Sequence, residues 1–61
     1  MVKVLHGANE QSIQPGQTIG AIRQELKDVL NIEEGAAAVL SGDNVSDDYV
    51  LREGDVLEFV A

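Results

Sequence analysis

Cysteine and tryptophan are absent from this 61-residue chain, proline occurs once, and the aromatic side chains are only Tyr49 and Phe59. Each scarcity closes off a class of chemistry. Without cysteine there is no disulfide, no thiolate metal site and no thiol nucleophile. The absence also accords with a reducing compartment. Two aromatic rings are too few for a surface that stacks successive bases. No apolar run nears the roughly 18 residues that a membrane helix needs, and no signal-peptide pattern is present. The expectation is a soluble, cytoplasmic protein.

Positive charge is scarce as well. Four Lys and Arg stand against eleven Asp and Glu, a net charge of −7. Such a balance repels phosphate backbones and anionic membranes, so neither nucleic acid nor a membrane surface is an expected partner. Solubility alone accounts for it. The sharper account is a larger protein partner with a basic patch, oriented by long-range attraction.

Sixty-one residues make one domain, residues 1–61. Within it, Val2-Lys-Val-Leu-His6 is a short β-branched run that predicts a strand. Gly7-Ala-Asn9 is a turn signal, and Glu10 to Gln14 resumes an extended pattern, polar except for Ile13, that suits a sheet edge. Pro15-Gly16 ends it in a type II turn.

Thr18 predicts a helix N-cap. Ile19, Ile22, Leu26, Val29 and Leu30 then recur at spacings that place all five on one helical stripe. Arg23, Gln24, Lys27 and Asp28 fall on the opposite face, Asn31 marks the end, and Gly35 lies a few residues on. Gly20, worth about 1 kcal/mol less than alanine in a helix, is expected where the helix approaches a strand closely. A single amphipathic stripe requires a sheet to cover it.

Ala36 to Ser41 reads as a strand centred on Val39, followed by a turn at Gly42-Asp-Asn44. Another loop at Ser46-Asp-Asp48 and the turn Glu53-Gly-Asp55 lead to a final strand, Val56 to Val60. Alternation sets Leu57 and Phe59 on the core face and Val56, Glu58 and Val60 on the other.

These elements, in this order, resemble the β-grasp (ubiquitin-like) fold: α+β, a mixed four- to five-stranded sheet packed on one helix. Ile13-Gln-Pro-Gly-Gln-Thr-Ile19 is similar to the entry to the helix in the ThiS and MoaD sulfur carriers. Leu51-Arg-Glu-Gly-Asp-Val-Leu57 resembles the turn into their last strand. The same two patterns recur in TGS domains, the regulatory β-grasp modules of GTPases and synthetases. Ala38-Val-Leu-Ser-Gly-Asp43 matches the strand and turn between them only loosely. The resemblance spans nearly the whole chain and is specific for fold far more than for function.

Sulfur carriers act through a flexible tail ending in two glycines, whose carboxylate is adenylated. Here the sequence ends Phe59-Val-Ala61 with no glycine pair, so carrier activity is not expected to transfer. A sulfur-carrier-like substrate of an adenylating enzyme is the alternative reading, and a TGS-like module binding RNA or nucleotide is a third, disfavoured by the acidic charge.

No enzyme site is expected. His6 has no cysteine or serine nearby in sequence and reads as a solvated strand end. Asp43, Asn44, Asp47 and Asp48 fail the spacing of a calcium loop, because Val45 falls where an oxygen ligand is required. Glu33-Glu34 reads as a solvated pair at the helix exit, and the six glycines are scattered rather than gathered into a phosphate loop. No metal or cofactor is expected.

Binding remains. One helix covers one face of a sheet, and Leu5, Val56 and Val60 fall off the core parity. With the first and last strands adjacent, as the resemblance implies, these three form an apolar patch near Lys3 and Glu58. The expected partner-binding residues are Leu5, Val56, Glu58, Val60 and Ala61. The expected core is Val2, Val4, Ile13, Ile19, Ile22, Leu26, Leu30, Val39, Leu51, Leu57 and Phe59. The function expected is a non-catalytic interaction module that docks on a larger protein or pairs with a second copy of itself.

Overall fold

The computed structural model describes residues 1–60. Its elements are β1 (Val2–His6), β2 (Asn9–Ile13), α1 (Ile19–Leu26), β3 (Ala37–Leu40), β4 (Asp43–Asn44) and β5 (Val56–Val60). The strands form one mixed sheet in the order β2-β1-β5-β3-β4. β5 runs parallel to β1 at the centre, and every other pairing is antiparallel. This is an α+β domain of β-grasp architecture, with the first and last strands side by side beneath a single helix.

Local chemistry explains α1. Thr18 is extended at φ −79°, and its hydroxyl accepts a hydrogen bond from the Ala21 N–H at 3.2 Å, satisfying one orphan donor of the first turn. Ile19, Ile22 and Leu26 are buried. Beyond Leu26 the chain continues through turns to Asn31, which takes φ 56°. The Ile32 N–H donates to the Lys27 carbonyl at 2.9 Å, the bond that closes a Schellman-type C-terminus. This closure corrects one expectation. Leu30 stays buried, Ile32 joins it in the core, and Val29 is turned outward at 65% exposure.

Thirteen apolar side chains form the core, among them Phe59, Ile19, Ile22, Leu51, Leu57, Val2 and Val4, each at or below 2% exposure. Burying each such side chain contributes about 1.5–3 kcal/mol. No polar or charged side chain is buried among the described residues. Val39 is a second correction: it is only half-buried and faces away from the helix. Register decides this. Ala38 pairs with Phe59 and Leu40 with Leu57, which puts the even-numbered residues of β3 on the helix side. Ala36 and Ala38 take the core places expected of Val39.

Three local readings also change. The turn after β3 is Ser41-Gly42, both with positive φ (53° and 86°), as a two-residue type I′ hairpin requires. Asp43 and Asn44 are therefore strand rather than turn. Gly20 meets a loop, not a strand. Its N–H donates to the Asp47 carbonyl at 3.0 Å, and a Cβ there would lie 3.3 Å from the Asp47 Cβ. Arg23 does not occupy the solvent face. It lies over the Phe59 ring, 5.0 Å from the centroid, and donates to the Ala36 carbonyl and the Asp47 carboxylate. Arg23 thus caps the open end of the core and ties the helix to two loops.

β5 shows the consequence most plainly, since its residues alternate exposed, buried, exposed, buried, exposed. Leu57→Asp should unfold the domain, because an unpaired carboxylate at a fully buried position costs several kcal/mol, comparable with the whole stability of so small a core. Val60→Asp, at a position 42% exposed, should leave the far-ultraviolet circular dichroism spectrum unchanged and stability within about 0.5 kcal/mol. Unfolding by both substitutions would contradict the assignment of faces.

Candidate functional site

Among the described residues no element covers the sheet face away from α1. Strand register arranges its side chains in rows. One row runs Glu10, Leu5, Glu58, Val39, Asn44 across β2, β1, β5, β3 and β4. A second runs Ser12, Lys3, Val56. Val60 lies opposite Ala37. Along β5, Val56 and Val60 flank Glu58 two residues to either side, on the same face. Four aliphatic side chains therefore ring one carboxylate. Val56 is 45% exposed and Val60 42%, while Leu5 and Val39 are half-buried.

The electrostatics of this face differ from those of the rest of the surface. Among the described residues, the acidic side chains that strand register places on it are Glu10 and Glu58. Lys3 Nζ sits 3.6 Å from the Glu10 carboxylate, so that pair is near neutral. Glu58 makes no ion pair or side-chain hydrogen bond among the described residues. What remains is an apolar surface with one uncompensated negative charge at its centre.

The turn before β5 fixes where Glu58 sits. The Asp55 carboxylate accepts from the Tyr49 hydroxyl at 3.1 Å and from the Arg52 N–H at 2.9 Å. The Lys3 N–H donates to the Asp55 carbonyl at 3.0 Å, locking the start of β5 against β1. Partial burial, with the hydrogen bond to Asp55, raises the Tyr49 pKa, so the phenol stays a donor.

The structure brings Leu5, Val56, Glu58 and Val60 onto one surface, as the alternation predicted. Ala61 lies outside the described residues. Val39 was missed as a member of this face. The run Ala36-Ala-Ala-Val-Leu40 is apolar at every position and carries no alternation from which to read its parity.

A second cluster sits at the far end of α1. His6 shares the helix-facing parity of Val2 and Val4, and its side chain is only 14% exposed, which corrects the expectation of a solvated strand end. Its Nε2 lies 3.1 Å from the Glu33 carboxylate. Nearby, Arg23, Gln24, Lys27, Ile32, Glu33 and Glu34 line a shallow depression of about 240 Å³. Its charges are of both signs, and Arg23 is already engaged. Among the described residues no three His, Asp or Glu side chains are grouped to hold a metal ion. Asp43 and Asn44 are tied into β4, and Asp47 is committed to Arg23.

No family model matches the chain, and no curated protein matches it in sequence. Among the described residues no helix is long and apolar enough to cross a membrane. The geometry of the open face carries the functional argument by itself.

The His6 contact generates a pH prediction. The hydrogen bond from His6, with one from the Glu33 backbone N–H, holds the Glu33 carboxyl below its ordinary pKa of 4.5. A lowered folded-state pKa contributes stability above the ordinary value, and that contribution is lost as pH falls through the folded one. In an NMR titration Glu33 should titrate below 4.5, and His6→Ala should move it up towards that value. An unchanged midpoint in the His6→Ala protein would show that the pair does not form in solution.

Proposed function

We propose that this domain is a small, acidic, non-catalytic protein-interaction module that binds a larger protein through its open sheet face and last strand. The observation that supports this reading is the exposure of Val56 and Val60 around Glu58, on the one face that α1 leaves bare. Covering such apolar surface removes it from water at about 25 cal/mol per Å². The net charge of −7 favours a basic partner at long range, and Glu58 is the charge that meets it on the open face. An acidic chain with no cysteine suits a partner met in the cytoplasm.

A sulfur-carrier-like substrate of an adenylating enzyme is the second reading. What favours it is the position of the two carrier-like motifs, one joining β2 to α1 and the other turning into β5. Intact mass of the protein from its native source separates the two, since a carrier requires a glycine-terminated tail.

The binding reading is tested with three baits against a lysate of the source organism: wild type, Val60→Asp and Val29→Asp. The partner retained by wild type should be lost from Val60→Asp, with affinity falling at least about tenfold (about 1.4 kcal/mol). Val29→Asp, which places the same charge at a 65% exposed site on the helix side, should retain it. Loss from Val29→Asp with retention by Val60→Asp would place the interface on the wrong face.

A further inference from the structure

We propose that the partner of the open face presents a cationic side chain, an arginine or lysine set among apolar groups, that seats on Glu58 within the ring of Leu5, Val39, Val56 and Val60. The inference rests on the docking surface proposed above and names the chemistry that fits it. Glu58 stands at the centre of the ring rather than its rim, with aliphatic neighbours across both adjacent strands and along its own. A purely apolar partner that covered the ring would strip water from this carboxylate and leave it unpaired, a penalty that cancels the gain from the aliphatic contacts. A partner that supplies a donor turns the same desolvation into a charge-assisted bond in a water-poor setting. Glu58 thus rejects neutral surfaces and selects basic ones. Among the described residues no cation pairs with Glu58, and Lys3, on the same face, has its Nζ 3.6 Å from the Glu10 carboxylate instead.

A second copy of the chain is the poorer occupant. Each copy carries a net charge of −7, which opposes the close approach of two such faces. The other three basic residues lie away from this face: Arg23 is paired with Asp47, Lys27 follows the helix, and Arg52 sits in the turn before β5. Arginine fits the site better than lysine. Its planar fork engages both carboxylate oxygens while its apolar stem lies along Val56 and Val60.

Two peptides of matched shape provide the test: acetyl-Leu-Arg-Leu-amide, and its neutral isostere with citrulline in place of arginine. Each is titrated into the wild-type protein and followed by amide NMR shifts. The arginine peptide should shift Leu5, Val39, Val56, Glu58 and Val60 and bind at least about fivefold more tightly than the citrulline peptide, a preference that high salt reduces. Glu58→Gln, at an exposed position that leaves the fold intact, should erase the preference. Equal affinity of the two peptides for the ring would overturn the role of Glu58 while leaving the docking surface standing. Failure of both to shift the ring would overturn the surface itself. Shifts confined to Glu33, Glu34, Asp47 and Asp48 would show general attraction to negative charge and overturn the inference. Concentration-dependent shifts of the ring without peptide would make a second copy the occupant and overturn it as well.

Discussion

A sheet has two faces and the described residues form one helix, so α1 can keep water from only one of them. Ile19, Ile22 and Leu26 supply the covering stripe, and Val2, Val4, Leu57 and Phe59 rise to meet it. Everything else follows from how that contact divides the residues of the central strands. β1 and β5 lie together in the middle of the sheet, so each residue that turns toward the helix leaves its neighbours facing outward. The core and the proposed docking surface are therefore one decision made at alternate positions, and neither can be altered without the register that sets the other.

Polar contacts reinforce this division without entering the core. Arg23 spans from the helix to Ala36 and Asp47 and closes the exposed edge of Phe59. Asp55 gathers Tyr49 and Arg52 into the turn that launches β5. His6 and Glu33 tie the end of β1 to the loop after the helix. The Arg23 and His6 contacts link segments distant in sequence, the Asp55 contacts are local, and all sit at the rim, where water lowers the penalty for an imperfect pair. In a core of thirteen apolar residues such ties limit fraying at the margins more than they hold the centre.

Much of the architecture was legible because it is written locally. Thr18 caps the helix through its own hydroxyl, and the spacing of Ile19, Ile22 and Leu26 shows which way it faces. The Val56–Val60 alternation separates two faces without reference to any other strand. The resemblance to the β-grasp fold added the adjacency of β1 and β5, which no single segment states. What was not legible depended on pairing. Val39 sits in an unbroken apolar run, so only the register against β5 reveals its parity. Val29 fits the helical stripe until the C-terminus closes at Asn31 and ends the regular turn. Arg23 and His6 look solvated in a linear sequence, because their partners Asp47 and Glu33 are far along the chain. Asp43 and Asn44 resemble a turn by composition, and two left-handed residues just before them make the turn instead.

Among the described residues, the open face derives its character from what it lacks: a covering element, a cation paired with Glu58, and the dense negative charge found elsewhere on the molecule. The measurement that bears most directly on this account is paramagnetic relaxation of side-chain methyls by a soluble, uncharged gadolinium complex. The methyls of Val56 and Val60 should broaden strongly while those of Val2, Val4 and Leu57 stay sharp, with Leu5 and Val39 between them. Equal protection of the Val56, Val60 and Leu57 methyls would contradict it, since the sheet would then have no bare face for a partner to find.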